Sequence, residues 1–354
     1  MGVVNWIPFV AMVTVECLDV GLTTLGKAAI SEGMNHFIFV LYSNALASLI
    51  LLPSSFIFDA NRPPLSFSLL SKFFFLALIG ITIMQNCVFT AVDYSSPLLG
   101  SAMTNLTPAI TFVLAVILRM EKLNIRSSIS QIKVMGAVVS ISGALIITLY
   151  KGSAIRFRTR LSPSLPLPYL LSENENWLIG GFFFAVSSVS FAVWYIAQAS
   201  ILKGFSSQLT IVAFYCLFGT IQTGLLCLIV VRDRNDWKIS PNIELIAIFY
   251  SAIVGSAGTA YVMTWCIKRK GPVFVSMFKP VGIAIAAFST VVFLGETLHV
   301  GSIIGATIIA IGFYAVLWAQ SKEDNANGLQ VDRQASPSSQ SSPLIESNGS
   351  IVLA

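Results

Sequence analysis

Charge is scarce in this chain. Asp, Glu, Lys and Arg together make up 10% of its 354 residues, against roughly 25% in a typical soluble domain, so there is too little polar surface for a water-soluble fold. Histidine is nearly missing as well: His36 and His299 are the two copies, both at the edges of apolar runs. No HExxH, GxSxG or paired Cys/His spacing occurs, which removes the usual metal ligands and nucleophile–base pairs. That pattern speaks against an enzyme, implies no cofactor and offers no metal site. The five cysteines (Cys17, Cys87, Cys216, Cys227 and Cys266) fall inside apolar runs and read as reduced core residues, not a disulfide framework. The N-terminus has neither a basic region nor a small-residue cleavage site, so its first apolar run is expected to be a retained helix.

What is abundant is apolar sequence. Hydrophobic residues are 55% of the chain, mean hydropathy is +0.81, and runs of about 20 apolar residues recur, each long enough to cross a hydrocarbon core of about 30 Å as a helix. These features predict an all-α membrane protein of ten transmembrane helices, near 7–27, 36–58, 72–92, 98–118, 131–150, 177–198, 209–231, 243–266, 272–294 and 301–319. The net charge of +5 is spread over the loops, where it bears on membrane orientation and gives no reason to expect a nucleic-acid partner. Placing the N-terminus in the cytoplasm puts the larger share of Lys and Arg inside, although Lys151, Arg156, Arg158 and Arg160 then lie outside. A basic, proline-rich connection at 151–176 separates two sets of five spans, and from Ser321 the sequence turns rich in Ser, Asn, Gln and Pro. Residues 321–354 are therefore expected to form a disordered cytoplasmic tail.

The two halves, 1–150 and 177–320, resemble each other. Asn5-Trp6 and Asn176-Trp177 open them, and the same offset of 171 relates Gly33 to Gly204 and Glu16 to Ser187. Gly136-Ala137 with Gly143 is matched by Gly305-Ala306 with Gly312, preceded by Glu121-Lys122-Leu123 and Glu296-Thr297-Leu298. A duplicated unit with an odd number of spans enters the membrane inverted the second time, a transporter architecture that places the substrate site between the copies. The small residues in these matches read as close helix packing.

Two charged clusters lie deep in the spans. At 100° per residue, Glu16, Asp19, Thr23 and Lys27 fall on one stripe about 80° wide. A charge at the helix centre costs about 2.5–3.5 kcal/mol on insertion scales, so two carboxylates want a partner, a proton or a water-filled cavity. The other cluster is Lys279 in SMFKPVG, with Pro280 as a helix break beside it. The repeat bears on their meaning. Ser187 and Ser190 stand where the first half has Glu16 and Asp19, and Thr107, before Pro108, stands where the second half has Lys279. The charges break the pseudo-symmetry, which favours a ligand over packing. Gln85, Asn86 and Asn105 add mid-span polarity, and Trp194, Tyr195, Tyr261 and Trp265 are candidate cavity walls. Plain interhelical hydrogen bonding and interface anchoring are the competing readings for these residues.

The segments AMTNLTPAITFVLAVILRMEKL (102–123), KVMGAVVSISGALIITLYKG (133–152), GSIIGATIIAIGFYAVLW (301–318) and SEGMNHFIFVLYSNALA (31–47) resemble the plant EamA-type members of the drug/metabolite transporter superfamily. These are the nodulin-like, Walls-Are-Thin-related or usually-multiple-acids-move-in-and-out proteins, and the likeness covers residues 1 to about 320. It implies ten helices in two inverted five-helix repeats, cytoplasmic termini, a plasma membrane (ahead of the tonoplast) and movement of amino acids, auxin or related metabolites.

The resulting expectation is alternating-access transport of a small amphipathic metabolite, amino acids first. Lys279 would take a carboxylate, and Glu16 or Asp19 an ammonium or a coupling proton. Auxin, another organic acid or a secondary metabolite is the alternative cargo. In a different class, a non-transporting sensor or scaffold would use the same charges as a structural bridge. The partners are a small-molecule substrate and the bilayer, with protons and a second copy of the chain left open.

Overall fold

The structure, a computed structural model, describes residues 3–59, 65–94, 104, 106–120, 127–150, 154–155, 177–239, 242–294 and 298–335. Helices dominate it. Helix α1 is Val3–Ser31 and α2 His36–Phe58; α3, Phe67–Ala77, runs through a π-helical stretch at Leu78–Ile83 into α4, Met84–Tyr94. They are followed by α5, Leu106–Ile117, and α6, Ser128–Leu149. The second half repeats the order with α7, Trp177–Gly204, α8, Gln208–Val230, and α9, Ile243–Tyr250, which passes through a second π-helical stretch at Ser251–Thr259 into α10, Ala260–Lys270. The last elements are α11, Pro272–Ser276, α12, Lys279–Leu294, and α13, Val300–Ala335. Side-chain caps fix several starts: Asn35 accepts from the Phe37 amide at 3.1 Å, Ser66 from Leu69 at 3.3 Å and Ser207 from Thr210 at 3.2 Å, each satisfying an amide that the first turn leaves unpaired.

Among the described residues, seven helical stretches are long and apolar enough to cross a membrane, and three shorter apolar helices, Leu106–Ile117, Pro272–Ala286 and Ile303–Ala319, fall within the fourth, ninth and tenth expected spans. Large apolar side chains face outward, among them Phe58, Phe182, Leu228 and Ile229, each at least 65% exposed. A surface so apolar suits acyl chains and not water. Inside, one buried cluster draws on both halves, with Met12, Phe39, Phe73 and Ile81 packed among Tyr195, Ile211 and Phe278.

Contacts between the halves are reciprocal. Glycines bring α6 and α13 together: a Cβ on Gly136 would stand 2.7 Å from the Gly312 carbonyl oxygen, and one on Gly143 would stand 2.9 Å from that of Gly305. Residue numbers rise on one helix as they fall on the other, so the pair is antiparallel. Helices α2 and α8 also run antiparallel and are clasped at both ends. Asp59, just past α2, accepts from the hydroxyls of Ser207 and Thr210 at the start of α8, and Asn35, ahead of α2, donates to Asp236 beyond the end of α8 at 3.1 Å. The stretch 78–83 packs on α7 and α8, while 251–259 packs on α1 and α2. Gly80 receives Trp194 and Tyr215, and Gly255 receives Leu22.

One expectation changes. The helix that contains the tenth span does not stop near residue 319 but runs on to Ala335, into the segment expected to be disordered. Lengthening an existing helix avoids the cost of nucleation, and Lys322 lies over the Trp318 ring at 5.6 Å. Residues 336–354 lie outside the described residues. Of the connection at 151–176, Ala154 and Ile155 form β1, an antiparallel two-residue ladder with β2, Leu298–His299. The remainder of that connection is also outside the described residues. The cysteines are all free thiols.

Candidate functional site

Glu16 and Asp19 are three residues apart on α1, a spacing that sets both on one helix face. Against that face comes the start of α12. The polypeptide leaves α11 at Ser276, turns through Met277 and Phe278, and re-enters a helix at Lys279. Pro280 is the second residue of α12, where a missing amide costs little. It therefore sits just after the interruption and disfavours a continuous helix through its neighbour. Pro108 holds the corresponding first-turn place in α5, buried with Thr107.

Lys279 Nζ lies 3.1 Å from Asp19 Oδ2, 3.3 Å from Glu16 Oε1 and 3.5 Å from Glu16 Oε2. The contacts to Asp19 Oδ2 and Glu16 Oε2 have hydrogen-bond geometry, and the one to Oε1 is an ion pair only. An ammonium at a helix N-terminus opposes the helix dipole, so the carboxylates supply what the local backbone does not. Burial is uneven: the side chains of Lys279 and Glu16 are 6% and 3% exposed, and that of Asp19 is 35% exposed. One carboxylate is sealed in and the other is partly accessible.

Two residues that the sequence did not single out complete the arrangement. The Phe191 ring of α7 lies 5.5 Å from Nζ, within cation–π range. Gly282, one turn beyond Lys279, leaves the space that the Glu16 carboxylate fills, and any Cβ there would run into Oε2. The i, i+3 spacing from Lys279 was the available signal for Gly282. Nothing in the sequence marked Phe191.

Among the expected site residues, the structure brings Glu16, Asp19, Lys279 and Tyr195 together. Tyr195 is fully buried, within electrostatic reach of all three charges, and its hydroxyl has no hydrogen-bond partner among the described residues. Thr23 departs from the expected inward stripe: it is exposed, and its hydroxyl donates to the Asp19 carbonyl at 2.7 Å, as helical threonines do when no other acceptor is near. The Lys27 side chain lies outside the described residues. Gln85 and Asn86 make their bonds elsewhere. Gln85 accepts from Asn44 at 3.2 Å, and Asn86 donates to the Thr82 and Ile81 carbonyls at 2.8 and 3.5 Å, serving acceptors in the π-helical stretch. Asn105 lies outside the described residues.

Of the expected walls, Trp194 is buried against Gly80 and Tyr215 with its indole N–H unpartnered among the described residues. Tyr261 is 38% exposed, and Trp265 carries the Arg269 guanidinium 5.4 Å above its ring. Trp265 sits toward the basic end of α10, where an amphipathic ring suits the membrane interface, whereas Tyr261 is at the other end, beside the π-helical stretch.

The arrangement pairs two carboxylates with one ammonium, with Glu16 and Lys279 buried and Asp19 partly accessible. It contains no activated nucleophile, and no group of three or more metal-ligating side chains occurs among the described residues.

Comparison with known proteins supplies the family. The EamA-like transporter family matches residues 10–149 and 178–318. Three WAT1-related proteins of Arabidopsis thaliana are 43%, 41% and 40% identical to this chain, over 96%, 93% and 93% of it and 95%, 91% and 92% of their own lengths. A solved crystal structure superposes with a TM-score of 0.64 over 88% of this chain and 97% of its own, at 14% identity, a likeness of fold alone. The chain belongs to the EamA-like transporter family, among its plant WAT1-related members, and is a multi-pass membrane transporter of the drug/metabolite superfamily.

Proposed function

We propose that this transporter carries small zwitterionic metabolites, amino acids first, by alternating access of two inverted five-helix repeats that make ten spans in all. The observation that carries the reading is the buried cluster itself. Its acids come from the first half, on α1, and its base from the second, on α12, and they meet between the units that rock against each other in inverted-repeat transporters. The reciprocal contacts favour the inverted arrangement. If Gly136 corresponds to Gly305 and Gly143 to Gly312, the Gly136–Gly312 contact maps onto the Gly143–Gly305 contact, as a two-fold relation requires. The family match in two stretches agrees with the duplication.

In this reading Lys279 receives the substrate carboxylate, Asp19 receives the ammonium at the accessible edge, and Glu16 holds Lys279 or a coupling proton. Tyr195 offers a hydroxyl without a hydrogen-bond partner among the described residues. Both termini are cytoplasmic and the plasma membrane is the site of action.

A structural bridge is the rival that the same distances favour. Against it, Ser187 and Ser190 occupy the matching places in α7 with their hydroxyls bonded to their own helix, at Phe184 and Val186, so this fold packs there without charge. A bridge also needs one acid, not two. The test is a flux assay in a transport-deficient host with labelled amino acids, auxin and simple organic acids at two external pH values. Uptake or efflux of amino acids supports the reading; movement of organic acids alone replaces the cargo, and no flux of any of them points to a sensor or scaffold.

A further inference from the structure

Away from the charged cluster, the start of α3 and the end of α7 leave a half-open cavity of about 240 Å³ between the two halves. Ser66, Ser68 and Lys72 line it from the first half, and Ser200, Gly204 and Phe205 from the second. A Cβ on Gly204 would meet nothing within 4 Å, so α7 ends without filling this space. The apolar spans Phe67–Ala91 and Ile179–Gly204 begin and end here. The cavity therefore lies where a span gives way to the polar zone of the bilayer, at the level of the lipid phosphates.

The lining carries one charge, the Lys72 ammonium, and no acid. The helix ends around it are basic too. Lys203 is in the last turn of α7, and Lys268 of α10 donates to the Ser206 carbonyl at 2.7 Å, with Arg269 and Lys270 beside it. The acid at this end of α2, Asp59, already accepts from Ser207 and Thr210, and Arg62 lies outside the described residues. At 100° per residue, Ser68, Lys72 and Phe75 share one face of α3. From the helix end into the bilayer, that face presents a hydroxyl, an ammonium and a phenyl ring. The Phe75 side chain is 56% exposed, and Phe67 at the rim is 88% exposed.

We propose that this cavity seats an anionic glycerophospholipid, with its phosphodiester on Lys72 and the serine hydroxyls and an acyl chain along Phe75. Basic pockets between membrane helices suit such headgroups, and the sequence of groups on α3 matches a lipid from head to tail. A soluble anion would use the hydroxyls and the ammonium but leave Phe75 without a partner. A zwitterionic lipid offers the same phosphate, but its quaternary ammonium adds a cation to an end of the bundle already rich in lysine. Seated there, the lipid braces α3 of the first half against α7 of the second, whatever the cargo of the transporter.

The experiment titrates dioleoyl phosphatidylglycerol or dioleoyl phosphatidylcholine into the full-length transporter in detergent, and reads melting temperature and lipid retention by native mass spectrometry. Phosphatidylglycerol should raise the melting temperature with saturation, as a ligand of the folded state does, and stay bound as a single copy. Lys72→Ala should weaken it by at least about fivefold, the factor expected of one basic residue at a membrane surface, while Lys72→Arg retains it. Phosphatidylcholine should be weaker on the wild type by a similar factor. Gly204→Leu fills the cavity without changing charge, so it should lose the lipid-dependent shift while melting near the wild type in lipid-free detergent. Inorganic phosphate and glycerol 3-phosphate should neither raise the melting temperature nor displace the lipid. Equal response to the two lipids, or wild-type binding of phosphatidylglycerol by either Lys72→Ala or Gly204→Leu, overturns the proposal. Displacement by phosphate or glycerol 3-phosphate overturns it in favour of a soluble anion.

Discussion

Lys279 and Asp19, 260 residues apart in the chain, meet at 3.1 Å across the junction of the two halves. The contact is half-open: Lys279 is buried while Asp19 keeps a third of its side-chain surface accessible. Water at Asp19 screens the pair and weakens it as a clamp between helices. An accessible acid beside a buried base suits a site whose partner is exchanged.

Removing the base alone should damage the fold. Lys279→Met leaves Glu16 buried without its partner, which costs about 3–5 kcal/mol for comparable buried pairs. The expected result is a clear drop in melting temperature of the detergent-purified transporter. Adding Glu16→Gln and Asp19→Asn to Lys279→Met should restore most of the thermal stability without restoring flux.

Gly282 sets the seat of Glu16. In Gly282→Ala the new methyl meets the carboxylate, and the displacement should cost about 1–3 kcal/mol, as overpacking does elsewhere. Flux per folded molecule is expected to fall, and shortening the acid in Gly282→Ala/Glu16→Asp should recover part of it. Uptake normalised to surface protein checks both.

Gly136 and Gly312 should respond alike, because each receives the backbone of the other's helix. Leucine at either position runs into backbone of the partner helix, joined at Gly136 by the Ala315 and Val316 side chains, so both variants should lose at least about 1–3 kcal/mol, read as matched falls in melting temperature. Leucine at Gly204, where a Cβ would meet nothing within 4 Å, should leave the melting temperature near that of the wild type.

Asp59 ties the end of α2 to the start of α8. Asp59→Ala removes the acceptor of Ser207 and Thr210 and should cost about 1–2 kcal/mol. Hydrogen exchange in the first turn of α8 should quicken, with little change in α4.

Much of this was legible in the sequence because bilayer helices advertise themselves by length and apolarity, and because a charge inside such a run has few innocent explanations. Glu16, Asp19 and Lys279 stood out on those grounds. The π-helical stretches did not: LIGITI and SAIVGSAGT have ordinary helix composition, and the extra residue per turn is set by what packs on them, Trp194 and Tyr215 at Gly80 and Leu22 at Gly255. Phe191 was hidden because an aromatic facing a distant helix looks like any lipid-facing phenylalanine. Thr23 misled because a helical stripe gives direction around the axis but not how far along it the neighbouring helix extends. Gln85 and Asn86 were polar for a local reason, since the π-helical carbonyls and Asn44 needed partners.

The most direct measurement is the flux of a labelled amino acid through wild type, Glu16→Gln, Asp19→Asn and Lys279→Met, normalised to folded transporter at the membrane. If the cluster is the substrate and coupling site, Glu16→Gln and Asp19→Asn fold and reach the membrane, yet flux falls in all three variants by at least about tenfold, equivalent to about 1.4 kcal/mol. Normal flux per folded molecule in all three would leave Glu16, Asp19 and Lys279 as a structural bridge and place the substrate elsewhere.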